Sequence, residues 1–439
     1  MIKRLLIANR GEIAVRIIRT CREMGIETVA VYSIPDKECL HVRMADKAVC
    51  IGPAASEKSY LNINALITAA VKSNCEAIHP GVGFLSESAE FARKVQKSGL
   101  IWIGPDPETI ELLGDKIRAR ETALKYGLPV TPGSNGAVKS RKDAVKAAAE
   151  CGYPVIIKAA SGGGGKGMRI VSREEDLEEN CRIASSEAGK NFGDKTIYIE
   201  KYMTNPRHVE LQVLADGKGN VQILGERDCS LQKNHQKLVE ESPSPVVSDD
   251  MRKKMYQGAH NLFSGLKYKG AGTIEFLVEE NSFYFMEVNA RIQVEHTVSE
   301  MISGVDIVRR QILVCCGGNC DMSPVSLQGC AIEARINALT PGKITQLYVP
   351  GGFGVRFDSF LYCDYNVVPF YDSMVAKLIV HDINRDCALK KLKRALDELV
   401  IEGIKTNIEE QKKLIQNQKF VSGKFGTSLY AEITQGENQ

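Results

Sequence analysis

The stretch that most constrains the fold of this 439-residue chain covers residues 273–296, TIEFLVEENSFYFMEVNARIQVEH. Two runs in it, Thr273–Val278 and Phe283–Asn289, are rich in β-branched and aromatic residues, which favour strands. The residues between the two runs are polar. The stretch therefore predicts a β-hairpin with a tight turn.

Two acidic residues of this hairpin point to a metal site. If the turn is centred near Asn281, Glu275 lies directly opposite Glu287 on one face of the hairpin. Side chains paired in this way have Cβ atoms about 4.5–5.5 Å apart, a distance at which like charges repel each other. A divalent cation between the two carboxylates would remove that repulsion.

Polar and apolar residues alternate beyond the second strand. The polar positions are Glu287, Asn289, Arg291, Gln293 and Glu295. An ordinary solvated strand face would also alternate, but this one carries metal-ligand types together with arginine and glutamine. Eight residues of strand span about 26 Å, which is too far for both ends to serve one small site. If Glu287 and Glu295 act together, the chain must leave the strand near Ala290–Gln293.

Composition excludes several classes of function. Hydrophobic residues make up 44% and charged residues 25% of the chain, as in globular domains. The net charge of +3 gives no reason to expect nucleic acid or an anionic membrane as a partner. The opening MIKRLLIANRGE has too short an apolar core for a signal peptide, and no run approaches the roughly 20 apolar residues of a membrane span. Thirteen scattered cysteines predict reduced thiols and a cytoplasmic location.

Residues 1–113 alternate strand and helix patterns and predict a parallel α/β domain. Its first turn, Ala8–Gly11, has one glycine and not the GxGxxG fingerprint of dinucleotide sites. Helical periodicity follows over Ile117–Tyr126, and prolines and glycines then mark a linker into a second unit.

A glycine-rich loop, SGGGGKG, follows a strand that ends with Lys158. A further strand, Met168–Val171, comes after it, so we expect a hairpin flap and not a helix-capping P-loop. Bare backbone N–H groups in such a flap can cover phosphates, and Lys158 would contact them. The alternative is a flexible linker.

The segment Glu226–Lys237 is densely polar and is predicted to be a loop. Cys229 and His235 within it could form a thiol nucleophile and its base, but no third orienting residue is evident. A cysteine group at Cys315, Cys316 and Cys320 lacks metal-site spacing and predicts buried thiols. From about Val325 a mixed segment follows, with a closing helix whose apolar face carries Leu389, Leu392, Leu396 and Leu399.

Eight strings in this chain, in this order, resemble biotin carboxylase. They are ANRGEIAVRIIR, AIHPGVGFLSES, YPVIIKAASGGGGKGM, NPRHVELQVLAD, ERDCSLQKNHQK, FMEVNARIQVEH, EARINA and GGFGVRFDS. The resemblance implies an α/β architecture with the ATP-grasp fold, an N-terminal parallel α/β (Rossmann-like) domain, a mobile glycine-rich lid and a mixed α+β C-terminal domain. The implied boundaries are 1–113, 114–324 with the lid at 131–203, and 325–439.

The same resemblance implies roles for individual residues. ATP would be held by Lys116, Lys158, Gly162, Gly163, Gly164, Gly165, Lys166, Gly167, Glu200, Lys201, His208, Gln232 and His235. Magnesium or manganese would be bound by Glu275, Glu287 and Asn289. Bicarbonate would be held by Lys237, Arg291, Gln293 and the backbone of Val294. Glu295 would be the base and Arg335 would stabilise the biotin enolate.

The implied activity is ATP-dependent carboxylation of biotin with bicarbonate, through carboxyphosphate. The implied partners are a biotin carboxyl carrier protein and carboxyltransferase subunits, as in a bacterial acetyl-CoA carboxylase of fatty acid synthesis. A homodimer is implied by matches at Arg19, Glu23, Phe353 and Arg356. One departure is a short loop, Ala338–Thr340, directly after the segment that contains Arg335, which bears on docking of the carrier.

Two other hypotheses keep the nucleotide site and change the function. In one, the chain is an ATP-grasp ligase of the carbamoyl-phosphate or purine-synthesis kind, although the strings ERDCSLQKNHQK and EVNARIQVEH fit biotin carboxylase better. In the other, it is a nucleotide-sensing subunit without catalysis. Retention of Arg291, Glu295 and Arg335 favours an enzyme.

Overall fold

The structure is a computed structural model that describes residues 2–160 and 168–436. Its N-terminal part is a five-stranded parallel sheet in the order β3-β2-β1-β4-β5, flanked by helices. The parallel α/β domain predicted from the alternating patterns is therefore confirmed. The elements are β1 Arg4–Ile7, α1 Gly11–Glu23, β2 Glu27–Ser33, α2 Leu40–Met44, β3 Lys47–Gly52, α3 Ile63–Lys72, β4 Ala77–His79, α4 Ala89–Lys97 and β5 Ile101–Trp102.

A second, smaller sheet of three antiparallel strands follows, in the order β7-β6-β8. Two helices pack on it around their own apolar cluster, which includes Ala148, Val155 and Ile199. The glycine-rich loop predicted as a phosphate-binding flap, with Gly162 to Gly167, lies outside the described residues. The elements are α5 Pro107–Gly114, α6 Lys116–Lys125, α7 Arg141–Cys151, β6 Val155–Ala159, β7 Arg169–Val171, α8 Leu177–Phe192 and β8 Ile197–Lys201.

The largest sheet has eight antiparallel strands in the order β13-β12-β9-β10-β11-β14-β19-β17. Its first half is formed by β9 Arg207–Asp216, β10 Val221–Lys233, β11 Gln236–Ser242, α9 Asp249–Gly265, β12 Lys269–Glu279, β13 Ser282–Asn289, α10 His296–Ser303 and α11 Ile307–Cys315. The C-terminal segment adds β14 Cys330–Asn337, β15 Gly342–Lys343, β16 Gln346–Tyr348, β17 Val355–Ser359, β18 Asn366–Val367, β19 Met374–Asp382, α12 Arg385–Glu398, β20 Val400–Glu402, α13 Ile408–Gln416, α14 Gln418–Val421 and α15 Leu429–Gly436. Strands β14, β19 and β17 continue the same sheet, so the predicted boundary at residue 325 is not a break in it.

The predicted loop over Glu226–Lys237 is wrong. Strand β10 runs through Lys233 and β11 begins at Gln236, so only two residues form a turn. Asn234 and His235 have φ angles of 51° and 64°, as a tight hairpin turn of mirror-image type requires. Most of the polar residues of β10 are buried against other polar groups. The prediction failed because a strand of buried polar residues has the same composition as a solvated loop.

The predicted closing helix is correct in its apolar face but does not close the chain. α12 buries Leu389, Leu392 and Leu396, while Leu399 follows the last helical residue. Strand β20 and three further helices come after it. Among the described residues, no helix combines the length and the hydropathy that crossing a membrane would need.

The hairpin of β12 and β13 is confirmed, and a bulge sets its register. Phe276 pairs with Phe285, but the next pair is Glu275 with Glu287, so Met286 is the extra residue. A bulge places two residues of one strand against one residue of the other. Without the bulge Met286 would oppose Glu275, and the two carboxylates would not share a face.

The buried face of this hairpin packs in the apolar core that the large sheet shares with its helices. Phe276 is completely buried and its ring lies edge-on to Phe283, with 5.5 Å between ring centroids. Replacing Phe276 by Ala should lower the free energy of unfolding by about 3–5 kcal/mol, because a large cavity remains. Urea titration of the purified protein measures this change. Phe370→Ala is the control, since Phe370 is exposed; an equal loss in both variants would contradict the prediction.

Candidate active site

Glu275 is the centre of hydrogen bonds between β9, β12 and the end of β13. Its carboxylate accepts hydrogen bonds from His208 Nε2, Asn289 Nδ2 and Gln293 Nε2, each at 2.7 Å. Burial opposes ionisation, but Lys237 and His208 hold the pKa of Glu275 well below its ordinary value. Burial also disfavours the imidazolium of His208, and Glu275 overcomes this and raises the pKa of His208. Glu275 is therefore an ionised carboxylate inside the protein.

Glu287, opposite Glu275, is in the reverse situation. Removal from water and the charge of Glu275 raise the pKa of Glu287. Among the described residues, the one cation paired with it is Lys116, whose Nζ lies 3.9 Å from Glu287 Oε2. Two opposed carboxylates with a side-chain amide beside them are hard oxygen ligands of the kind that magnesium and manganese take. The pair that the sequence predicted therefore fits a divalent cation, which would relieve the repulsion between them.

Asn289, the third predicted metal ligand, is also engaged with protein groups. Its amide nitrogen donates to Glu275, and its oxygen accepts from Arg291 Nη2 at 3.0 Å. Arg291 in turn donates from Nε to Glu87 Oε2 at 2.8 Å. Glu87 lies after β4 in the N-terminal part, so this contact joins the N-terminal sheet to the hairpin.

The chain leaves β13 at Asn289 and enters α10 at His296, which confirms the bend expected near residues 290–293. Glu295 therefore lies beside the hairpin carboxylates instead of 26 Å along a strand. The carbonyl oxygen of Val294 accepts a hydrogen bond from Lys377 Nζ at 2.7 Å. Lys377 is completely buried on β19, and it thereby ties this loop to the C-terminal strands.

Glu295 is held between two cations. Its Oε1 accepts from Lys237 Nζ, and its Oε2 accepts from Arg335 Nη2 at 3.0 Å. Arg335 also donates from Nε to Glu240 Oε1 at 2.6 Å. Burial opposes ionisation of Glu295, yet Lys237 and Arg335 hold its pKa well below the ordinary value. These contacts bring together three of the four residues predicted to be catalytic, with side chains almost removed from solvent.

Lys237 is the cation common to these carboxylates. Its Nζ lies 2.7 Å from Glu210 Oε2 and 3.3 Å from Glu275 Oε1, in addition to its contact with Glu295. Burial disfavours the charged amine, but the surrounding anionic groups raise the pKa of Lys237 well above its ordinary value. Lys237 is therefore a charged ammonium group held among three carboxylates.

The residues predicted to hold ATP have several different kinds of partner in the structure. Lys158 Nζ donates to Glu200 Oε2 at 2.6 Å. Gln232 Nε2 lies 2.7 Å from His208 Nδ1. Lys201 directs its amine to the carbonyl oxygens of Gly152 and Tyr153, at 2.9 and 3.1 Å, so its side chain is used within the small sheet.

His235 lies on the exposed β10–β11 turn, and this position argues against a thiol nucleophile with Cys229. Cys229 is completely buried. Burial raises the pKa of Cys229 well above its ordinary value. A reactive thiol needs a stabilised thiolate. All thirteen cysteines are unpaired. Among the described residues, Cys315, Cys316 and Cys320 do not belong to any cluster of His, Cys, Asp and Glu side chains close enough together to hold a metal ion.

Several partners of the site were not predicted; most of them are buried, whereas Arg120 is half-buried and Glu87 is exposed. They are Glu87, Arg120, Glu210, Arg227, Glu240 and Lys377. One signal could have identified Glu210, because His208, Glu210 and Gln212 alternate along β9 and share one face. Glu240 pairs across the sheet with Glu333 on β14, a contact between distant segments that no local pattern indicates.

Comparison with known proteins shows the family of this chain. The family model "Biotin carboxylase, N-terminal domain" matches residues 1–110. "Carbamoyl-phosphate synthase L chain, ATP binding domain" matches residues 115–322, and "Biotin carboxylase C-terminal domain" matches residues 333–432. Biotin carboxylase 1 of Bacillus subtilis is 50% identical over 441 residues, which cover 98% of each chain. The chain belongs to the biotin carboxylase family.

Solved structures support the same conclusion for the fold. A biotin carboxylase–β-γ-ATP complex from Campylobacter jejuni is 47% identical, with a TM-score of 0.95 over 98% of this chain and 99% of that one. The biotin carboxylase domain dimer of Hydrogenobacter thermophilus 2-oxoglutarate carboxylase, solved with MgADP, ADP and bicarbonate, is 43% identical. Its TM-score is 0.94, over 99% of this chain and 98% of that one. The predicted ATP-grasp fold is therefore confirmed.

Charge reversal at Glu287 tests the paired-carboxylate site. Glu287→Lys should abolish magnesium-dependent ATP hydrolysis, because an ammonium group would replace one of two carboxylates that face the cation. ADP release measured across a magnesium titration checks this. Glu279→Lys is a matched control at the exposed end of the same hairpin. A Glu287→Lys enzyme with unchanged magnesium dependence would refute the site.

Proposed function

We propose that this protein is the biotin carboxylase component of an acetyl-CoA carboxylase. It uses ATP and bicarbonate to carboxylate biotin on a biotin carboxyl carrier protein, and it releases ADP and phosphate. This is the first half-reaction of acetyl-CoA carboxylase, an enzyme of fatty acid synthesis. The observation that carries the proposal is the position of Glu295, a buried carboxylate with Lys237 on one oxygen and Arg335 on the other.

Bicarbonate enters among Lys237, Arg291, Gln293 and the backbone of Val294. The two cations neutralise its charge, and Gln293 donates a hydrogen bond that orients it. Once bicarbonate takes the contact with Lys237, Glu295 is released from its ion pair and can act as a base. Glu295 then removes the proton of bicarbonate, a weak nucleophile, as one bicarbonate oxygen attacks the γ-phosphorus.

This attack forms carboxyphosphate and breaks the bond to ADP. Lys116, Lys158 and His208 offset the charge that develops on the phosphoryl oxygens. Glu275, Glu287 and Asn289 hold the magnesium or manganese ion, which when bound supplies further positive charge to the phosphates. Glu200, Lys201, Gln232 and His235 complete the nucleotide site, and the segment 131–203 forms the lid over it. The glycine-rich loop excludes water from an intermediate that hydrolyses readily.

Carboxyphosphate then breaks down to carbon dioxide and phosphate. The phosphate removes the N1 proton of biotin, and the ureido oxygen takes up the resulting negative charge. Arg335 stabilises that oxygen, and N1 attacks carbon dioxide to give carboxybiotin. Because Arg335 already contacts Glu295, the two halves of the reaction take place at adjacent side chains.

The proposed assembly is a homodimer that works in the cytoplasm with carrier and carboxyltransferase subunits. The dimer is supported by Phe353, which is 93% exposed on a short turn before β17. The unpaired cysteines support a reducing compartment. The proposed domains are 1–113, 114–324 and 325–439, and the eight-stranded sheet crosses the second boundary.

The decisive experiment measures ADP release by the purified protein with MgATP and bicarbonate, with and without free biotin. Biotin should stimulate ADP release, and Arg335→Ala should remove that stimulation while bicarbonate-dependent hydrolysis remains. Hydrolysis that depends on bicarbonate and not on biotin would indicate another acceptor. Hydrolysis that is independent of bicarbonate would favour another ATP-grasp ligase or a nucleotide sensor.

Glu295→Gln tests the base directly. The substitution keeps the size of the side chain and removes its charge, so ATP binding should be retained and turnover should fall by about two orders of magnitude. Steady-state kinetics and a fluorescent nucleotide titration measure the two quantities separately. Glu108→Gln, at an exposed position on α5, is the control. Near-normal turnover in Glu295→Gln would remove this residue as the base.

A further inference from the structure

Arg227 on β10 is a completely buried arginine whose five N–H groups all have partners. The partners lie on two strands, β9 and β12, on α10 and on the loop after β13. Nε donates to Glu210 Oε1 (2.6 Å), Nη1 to Gln212 Oε1 (2.5 Å) and Ser299 Oγ (3.0 Å), and Nη2 to Thr273 Oγ1 (3.2 Å) and Gln293 Oε1 (3.0 Å).

A guanidinium group is the side chain that offers five donors in one fixed plane. The cost of burying its charge is offset by Glu210, whose carboxylate is also completely buried. A lysine at this position would have three donors on a single nitrogen and could not reach partners spread around the edge of a guanidinium group. The geometry therefore depends on arginine in particular.

Arg227 determines which way the amide of Gln293 faces. The two ends of a glutamine amide have similar shape and opposite hydrogen-bonding character. Since Oε1 of Gln293 accepts from Arg227, its Nε2 must face the other way, where it lies 2.7 Å from Glu275 Oε1. The donor end of Gln293 is thereby turned towards the charged centre of the site.

Arg227 also acts on Lys237 through one intervening residue. It binds Oε1 of Glu210, and Oε2 of the same carboxylate accepts from Lys237 Nζ at 2.7 Å. The position of the Lys237 amine is thus set by a carboxylate that Arg227 immobilises. Arg227 therefore holds both donors in place, Gln293 directly and Lys237 through Glu210.

We infer that Arg227 is a positioning residue for bicarbonate, which it does not touch. It fixes the amide of Gln293 directly and the amine of Lys237 through Glu210, so that both donors face the same anion. The inference rests on the proposed function, because it assigns the anion as bicarbonate.

Arg227→Lys tests this by steady-state kinetics with bicarbonate and MgATP varied in turn. The KM for bicarbonate should rise about tenfold or more, the effect of a lost hydrogen bond to a charged group. The KM for MgATP should change less than about twofold. Arg207→Lys is the matched control, since Arg207 is a buried arginine bound to Asp228 and to backbone carbonyls. An unchanged KM for bicarbonate in Arg227→Lys would overturn the inference.

A double-mutant cycle with Gln293→Met tests the route of the effect. If Arg227 acts through Gln293, the two substitutions together should raise the KM for bicarbonate by much less than the product of their separate effects. A combined effect equal to that product, which corresponds to additive free energies, would show that Arg227 does not act through Gln293. Circular dichroism and thermal unfolding show whether each variant is folded.

Gln293→Asn provides a test that leaves Arg227 intact, in case Arg227→Lys does not fold. The shorter amide keeps its donor but cannot stay on Arg227, so the KM for bicarbonate should rise as it does in Gln293→Met. A near-normal KM would overturn the inference. Failure of the proposed function is distinguishable, because the unaltered protein would then show no bicarbonate-dependent ADP release.

Discussion

The structure depends on one buried ammonium group that is shared by three carboxylates. Lys237 contacts Glu210, Glu275 and Glu295, which come from β9, β12 and the loop before α10. Each carboxylate alone would be costly to bury in ionised form. Together with Arg227 and Arg335, the ammonium allows Glu275 and Glu295 to remain ionised inside the protein. An anion that competes for this ammonium would weaken the ion pair between Lys237 and Glu295.

Local backbone features place these charges. The two-residue turn at Asn234 and His235 returns the chain so that Lys237 stands near the end of β10. The bulge at Met286 brings the two hairpin carboxylates onto one face. The end of β13 at Asn289 lets Glu295 turn back towards the hairpin. Each of these features determines which side chains come into contact.

The sequence predicted much of this and missed an identifiable part. Residue patterns predicted the β12–β13 hairpin, and the length of an extended strand required the bend before Glu295. The pairing of Glu275 with Glu287 was predicted from a turn centred at Asn281, whereas in the structure the bulge at Met286 produces it. Residue patterns failed for β10, because residues such as Arg227 and Asp228 are polar and buried, and polarity was interpreted as exposure. They also missed Glu240 and Lys377, whose importance arises from contacts between strands far apart in the chain. Such residues are recognisable when their partners are known.

The continuous eight-stranded sheet has a consequence for how the two half-steps are coupled. Glu275 stands on β12 and Arg335 on β14, four strand-to-strand steps apart in the sheet order, yet Lys237 and Glu295 link their side chains by contacts of 3.3 Å or less. Both residues therefore belong to one continuous hydrogen-bonded sheet. A short-lived intermediate formed beside Glu295 would therefore already be within reach of Arg335, which contacts the same carboxylate.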